Sequence, residues 1–231
     1  SAYSAVVSNR TWPLAPVAPV IHSAVVMGTN RIDVEWSEVA NVTTYTLYNN
    51  TSNDTNTATA VTWTVAGTTN YSDTSLSTNT LYFYWVKAYN VTGGSAYSAV
   101  VSNRTWPLAP VAPVIHSAIA MGTNRIDVEW SEVANVTTYT LFNNTSNDTN
   151  TATAVAWSLA GTTNYSDTSL ISNTLYFYWV KAYNVTGGSA YSAVVSNRTW
   201  PLAPVAPVIH SAIAMGTNRI DVEWSEVANV T

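Results

Sequence analysis

Short runs of alternating apolar and polar residues fill the chain, and turn-forming residues bound each run. In one clear run, Ile32, Val34 and Trp36 alternate with Asp33 and Glu35. Successive side chains of a β-strand point to opposite faces of its sheet, so this run directs its apolar residues to a core and its carboxylates to water. No segment sustains the 3.6-residue period of an amphipathic helix. The pattern predicts an all-β protein.

Seven short strands are predicted within about 94 residues, which is the size and strand count of an immunoglobulin-like sandwich. The longest carries aromatic residues on both faces, so at least one of Tyr84 and Trp85 is expected to face outward. A turn is expected at 90–94. The predicted strands lie near 20–25, 32–36, 45–48, 60–65, 70–74, 81–89 and 97–102.

The chain repeats itself with a period of 94 residues. The segment SAYSAVVSNRTWPLAPVAPVIHSA begins at Ser1, Ser95 and Ser189. Segments 12–105 and 106–199 differ at only eight positions, and the swaps mostly keep apolar or small character, as a packed module tolerates. Copies this similar are expected to perform the same task.

This repeat predicts how the chain is organised. We expect complete modules at 12–105 and 106–199, the last strand of a preceding repeat at 1–11, and the first strands of a further repeat at 200–231. The flanking pieces are too short to form a core of their own. The chain is therefore interpreted as a window on a longer array.

Several segments of the module resemble a fibronectin type III domain. They are the proline-rich entry APVAP at 15–19, Trp36 at the end of IDVEW, Tyr45 at the start of YTLY, and above all LSTNTLYFYWVKAYNVTGGSAYS at 76–98. The resemblance implies tandem seven-stranded, fibronectin type III-like β-sandwiches. It implies little about activity, because this sandwich serves as a general spacer and binder.

The resemblance also implies roles for individual residues. Leu76 and Tyr82 are expected to form a tyrosine corner, with Trp36 and Tyr82 in the core. Asn90 and Gly93 are expected to shape the loop before the last strand. The second module repeats this set as Leu170, Tyr176, Asn184 and Gly187.

Composition narrows the classes of partner. The chain has no cysteine, so disulfides and thiolate metal sites are excluded. Charged residues make up 9% of it, and the net charge of −5 is spread evenly, which argues against nucleic acid. No apolar run reaches the ~20 residues of a membrane span. We expect no cofactor.

No motif points to catalysis. Asp33, Glu35 and Glu38 could in principle supply paired carboxylates, but their alternation favours a solvated strand face. His22 has neither a cysteine nor a second histidine with which to hold a metal. The Asn/Asp cluster at 53–56 lacks the spacing of a calcium loop. The sequence therefore predicts that this chain is not an enzyme.

Aromatic residues exceed what a 94-residue sandwich can bury. Outward rings could pack against a neighbouring module or chain, which we favour, or stack on sugar rings. Prolines at every third position of 13–19 favour a stiff polyproline II connection between modules. The tryptophans expected at interfaces are Trp12, Trp106, Trp200, Trp63, Trp157, Trp85 and Trp179.

Asn-x-Ser/Thr triplets are the most enriched motif. Seven of the ten asparagines in 12–105 begin one, more than twice what chance placement of Ser and Thr gives. Such triplets accept N-linked glycans at a protein surface, and glycans could supply the solubility that charges normally provide. The candidate sites are Asn9, Asn41, Asn49, Asn50, Asn53, Asn70, Asn90, Asn103, Asn135, Asn143, Asn144, Asn147, Asn164, Asn184 and Asn197.

Three functions remain open on the sequence alone. The favoured one is a structural repeat of an extracellular, N-glycosylated filament, stalk or surface layer, on a prokaryotic and specifically an archaeal cell. Its partners would be copies of itself, joined through outward aromatics, the proline segment or a donated strand. The alternatives are an adhesin or carbohydrate-binding repeat using Trp63 or Trp85, and an accessory region of an enzyme.

Overall fold

A computed structural model describes residues 9–227, which divide between Leu108 and Ala109 into two compact units. Every regular element in the described residues is a β-strand, and all pairings are antiparallel. The predicted all-β fold is confirmed. The predicted strand at 1–11 lies largely outside the described residues, and the division into repeats at 12–105 and 106–199 stays a prediction.

The first unit is a sandwich of two sheets. One sheet has the order β1-β2-β5, and the other has the order β4-β3-β6-β7, with β8 also paired to β6. Its strands are β1 (Ile21–Val26), β2 (Ile32–Trp36), β3 (Thr44–Asn50), β4 (Thr59–Val65), β5 (Asn70–Asp73), β6 (Leu81–Asn90), β7 (Gly93–Gly94) and β8 (Val101–Arg104).

The second unit repeats this sandwich and adds a hairpin. Its sheets have the orders β13-β10-β9 and β12-β11-β14-β15, with β16 paired to β14, while β17 and β18 pair with each other. Its strands are β9 (Ile115–Ala120), β10 (Ile126–Trp130), β11 (Thr138–Asn144), β12 (Thr153–Leu159), β13 (Asn164–Asp167), β14 (Leu175–Asn184), β15 (Gly187–Gly188), β16 (Val195–Arg198), β17 (Ile209–Ala214) and β18 (Ile220–Trp224).

The core lies between the two sheets and follows the alternation of the strands. Ile32, Val34 and Trp36 of β2 are buried, and they face Tyr45 and Leu47 of β3. The rings of Trp36 and Tyr45 meet edge to face with centroids 6.0 Å apart, a favourable aromatic geometry. The predicted core positions of β2 are therefore confirmed.

A buried carboxylate ties the two sheets together. Asp73 of β5 accepts hydrogen bonds from Tyr84 Oη (2.9 Å) and Asn49 Nδ2 (2.7 Å), which belong to the opposite sheet. Burial, followed by the charge of Asp73, raises the pKa of Tyr84 above its ordinary value, so its hydroxyl remains a donor. Asp167, Tyr178 and Asn143 repeat the arrangement in the second unit.

The tyrosine corner is present as the resemblance implies. The Tyr82 hydroxyl accepts the backbone N–H of Ser77 at 3.0 Å, next to Leu76, which packs against the core. Tyr176 accepts from Ile171 N–H at the same distance in the second unit.

The final strand begins four residues later than predicted, at Val101. The segment before it runs beside β6 without a regular ladder, because two serine side chains replace backbone acceptors. Ser95 Oγ accepts Ala88 N–H and Ser98 Oγ accepts Val86 N–H, each at 3.0 Å. The same two serines also donate their backbone N–H groups to the carbonyls of Ala88 and Val86, so the segment is held to β6 at Ser95 and Ser98.

The hairpin β17–β18 shows what the opposing sheet contributes. Its residues match those of β9–β10, yet Trp224 is 61% exposed where Trp130 is 2% exposed. Among the described residues no second sheet covers the hairpin. Burial of this tryptophan therefore comes from the facing sheet and not from the hairpin itself.

We predict that Tyr84→Phe destabilises the first sandwich by about 1.5–3 kcal/mol, because a hydrogen bond to a buried charged group is lost. Tyr48→Phe is the matched control, since the second module already carries Phe142 there. Urea unfolding of both variants measures the difference. Equal losses would show that the Asp73 bond does not hold the sheets together.

Candidate functional site

A groove of about 340 Å³ lies on the outer face of the β4-β3-β6 sheet in the first unit. Residues of β3 alternate across this sheet, so Tyr45 and Leu47 enter the core while Thr44, Thr46 and Tyr48 face the groove. The remaining lining residues are Thr43, Ala60, Trp63, Tyr89 and Asn90. None of the eight is charged.

The indole of Trp63 forms one wall of the groove. It is 77% exposed and lies on edge strand β4, paired across the strands with Thr46. Thr46 is buried beside it, and no other described residue bonds its hydroxyl. In the second unit the equivalent Thr140 hydroxyl is buried without any hydrogen-bond partner among the described residues. The floor beside this indole thus carries an unused polar atom.

A pair of tyrosines forms the opposite wall. The hydroxyls of Tyr48 and Tyr89 lie 3.0 Å apart, and Tyr97 packs edge-on against Tyr48 with centroids 5.1 Å apart. A Cβ on Gly94 would lie 2.6 Å from the Tyr89 ring, so the glycine allows this ring its place. Burial, followed by the bond to Tyr89, raises the pKa of Tyr48, so the Tyr48 hydroxyl keeps its proton.

The turn at the end of the groove holds the proline segment. Asn90 Nδ2 donates to the Leu14 carbonyl at 2.8 Å, and Thr92 Oγ1 donates to the Pro13 carbonyl. Asn90 Oδ1 also accepts the backbone N–H of Thr92 at 2.9 Å. The predicted loop-shaping role of Asn90 therefore includes a tether to the chain that enters the sandwich, which the sequence pattern did not reveal.

The expected interface tryptophans fall into three groups. Trp12, Trp63, Trp157 and Trp200 are exposed, and Trp106 is half-buried. Trp85 and Trp179 are each only 3% exposed. Tyr84 enters the core and Trp85 lies on the outer side of the sheet, as expected, but Trp85 is covered there and not exposed as an interface residue would be.

Neighbouring rings explain the burial of Trp85. Its side chain points away from the core, but it stacks beside Phe83 at 6.4 Å and pairs across the strands with Tyr48. Large side chains on one sheet face cover one another in this way. Trp85 and Trp179 are thus unsuited to an interface or to sugar stacking.

Four candidate asparagines of the first module use their side-chain amides inside the fold. Asn49 donates to Asp73, Asn50 donates to both Asp54 O (2.9 Å) and Thr57 Oγ1 (2.8 Å), and Asn103 donates to Ala24 O (2.9 Å). Asn90 is the fourth, through Leu14. A glycan replaces one amide hydrogen and needs open space, so these positions suit structure better than modification.

Three others, Asn41, Asn53 and Asn70, are exposed, and their amides donate to no other described residue. The asparagines of the second module fall into the same two groups. Asn143, Asn144 and Asn197 donate hydrogen bonds within the fold, while Asn135, Asn147 and Asn164 are exposed. Asn184 Oδ1 accepts the backbone N–H groups of Thr186 and Gly187, as Asn90 Oδ1 accepts those of Thr92 and Gly93 in the first module. Asn9 is exposed.

Two of the acidic candidates, Asp33 and Glu35, line an open depression of about 410 Å³ on the β1-β2-β5 sheet. Arg31 Nε donates to Asp33 at 2.7 Å, and this bond holds the pKa of Asp33 below its ordinary value. Glu35, Glu38 and His22 are exposed or partly exposed on the surface. Within residues 9–227, no three His, Cys, Asp or Glu side chains lie together as a metal site would require. Nor do those residues form a helix long and apolar enough to cross a membrane.

Comparison with known proteins supports the fold. The chain is 27% identical to Exoglucanase B of Cellulomonas fimi over 230 residues, a match that covers 91% of this chain and 20% of the relative. The chain thus spans about a fifth of the length of the curated relative it matches. No family model matches the chain.

A solved structure gives the same result. The FN1-FN3 domains of chicken CNTN1 resemble this chain with a TM-score of 0.50 and 21% identity, over 80% of this chain and 66% of that one. The expected architecture, tandem fibronectin type III-like β-sandwiches, is confirmed.

Proposed function

We propose that this chain is a structural repeat of an extracellular, N-glycosylated filament, stalk or surface layer, without a catalytic role. The observation that carries the proposal is the repetition of one closed sandwich whose two copies differ at only eight of 94 positions. A filament or layer needs many equivalent units, whereas a catalytic site needs one distinctive constellation.

Strand β4 is the surface we assign to contacts between copies of the chain. It lies at the edge of its sheet, pairs only with β3 among the described residues, and has the sequence TAVTWTV. Six of these seven residues have high β-propensity, and none is charged, proline or glycine, so the edge is open to pairing with another strand. Strand β12 carries TAVAWSL at the same edge, so every module offers it.

The proline segment supports a stiff connection. Its backbone is tethered to the β6–β7 turn through Asn90 and Thr92, and no Gly/Ser-rich spacer precedes the first strand. Exposed Trp12 and Leu14 on this segment are available to a neighbouring repeat or copy. A tethered, proline-rich entry transmits tension between repeats better than a flexible linker does.

The glycan coat is proposed at the exposed asparagines. Only 9% of the residues are charged, so another source of solubility is required. The chain has no cysteine, so it has no thiol that an oxidising, extracellular environment could modify.

We predict that Thr62→Lys combined with Ala156→Lys prevents filament growth, because an inward-pointing charge protects a sheet edge from pairing. The position already tolerates Thr and Ala, and in each module it lies on the edge strand. Asn53→Lys with Asn147→Lys is the control of equal charge on an exposed turn. Negative-stain images should show regular filaments for the wild type and the control only; filaments of unchanged length in the edge variant would exclude β4.

Glycopeptide mass spectrometry of material from the native source tests the coat. We expect glycans at Asn41, Asn53 and Asn70 and at their counterparts in the second module, because their amides are exposed. Asn49, Asn50 and Asn103 are expected to be unmodified, because their amides are bonded within the fold. The reverse distribution, or a mass equal to the bare polypeptide, would contradict the proposal.

A further inference from the structure

We propose that the groove beside Trp63 binds a neutral, β-linked hexopyranose chain from outside the protein. Trp63 belongs to the edge strand β4, but the site uses the outer face of the sheet, whereas the contact between copies proposed above uses the backbone edge of β4. The proposal rests on three features of the groove: an exposed flat indole, unused hydroxyls beside it, and the lack of charge in its lining.

The indole supplies the stacking surface. Trp63 is 77% exposed although it stands next to Thr46, which is buried. An apolar ring of this size that remains in water is available for a partner. The ring of a β-linked hexopyranose with equatorial hydroxyls presents C–H groups on both faces, which matches a flat indole, and keeps its hydroxyls at the rim.

The hydroxyls supply the polar contacts. The Tyr48 and Tyr89 oxygens lie 3.0 Å apart, so one hydroxyl donates to the other and one O–H remains free for a ligand. The Thr46 hydroxyl, another lining group, bonds to no other described residue and so keeps bonding capacity beside the indole.

The nature of the lining selects the ligand class. The eight lining residues carry no charge, and the adjacent cation, the Lys87 ammonium, lies over the rings of Tyr89 and Tyr97 at 5.7 and 4.9 Å from their centroids, so the groove itself offers uncharged polar groups. Asn90 is the asparagine that lines the groove, and its amide donates to Leu14 O, so we expect no glycan attached to Asn90 to occupy the groove. The sheet face is open around Trp63, which suits an extended chain better than a single sugar.

The two modules differ at this site in one informative way. Tyr48 is replaced by Phe142, while Trp157, Thr140 and Tyr183 retain the other positions. The second module therefore lacks the paired hydroxyl but keeps the indole. Each module offers one free tyrosine O–H, but the first also offers a second hydroxyl oxygen as an acceptor, so we expect it to bind the saccharide about 3- to 10-fold more tightly, the contribution of one hydrogen bond.

Isothermal titration of the whole, unglycosylated chain with cellohexaose tests the site. The wild type should bind at two sites of unequal affinity. Trp63→Ala should weaken the tighter site at least 10-fold, Trp157→Ala should remove the weaker one, and Tyr48→Phe should make the two sites equal.

Trp12→Ala is the matched control, because Trp12 is equally exposed, at 75%, but lies outside the groove. It should leave both affinities unchanged. Equal losses from Trp12→Ala and Trp63→Ala, or no saturable binding of cellohexaose by the wild type, would overturn the proposal. Binding of a hydrophobic dye at Trp63 without cellohexaose binding would overturn it too, because the face would then be apolar docking surface. Filament images of Trp63→Ala test the structural function separately, because loss of cellohexaose binding with unchanged filaments concerns the groove alone.

Discussion

The contact between the two sheets of each sandwich is the constraint on which the rest of the molecule depends. Trp36 reaches across the core to Tyr45, and the Asp73 carboxylate joins β5 to the facing sheet through Tyr84 and Asn49. The hairpin β17–β18, with no facing sheet among the described residues, leaves the same side chains in water. Because the interior is filled in this way, any chemistry available to a module lies on its outer faces, edges and turns.

Much of the fold could be predicted because it follows from local alternation. The run from Ile32 to Trp36 identified its buried face without any knowledge of the partner strands, and Tyr82 was assigned to its corner by resemblance. The final strand was misplaced because hydroxyls of Ser95 and Ser98 take over a role that backbone carbonyls usually play. The alternation of apolar and polar residues does not show where a side-chain hydroxyl takes the place of a backbone hydrogen-bond acceptor.

The surface was harder to predict, since it depends on residues distant in the chain. Alternation assigned Trp85 correctly to the outer side of its sheet, but its burial depends on Phe83 and on Tyr48, a residue of another strand. The asparagine triplets could be counted from the sequence but not sorted, because the acceptors of their amides lie elsewhere in the fold. The groove likewise combines β3, β4 and β6, and only Trp63 among its residues was marked beforehand as an outward aromatic.

The interior of each module serves stability, and we propose that its surfaces divide the remaining tasks: an edge for other copies, turns for glycans and a face for sugar. The central claim is that the chain carries two mechanically equivalent, closed units. Stretching single molecules of the whole chain by force spectroscopy tests it most directly. The account predicts two abrupt unfolding steps of similar force, each releasing about 300 Å of chain, the extended length of one repeat less its folded length. A single step of twice that length, or a gradual extension without steps, would contradict it.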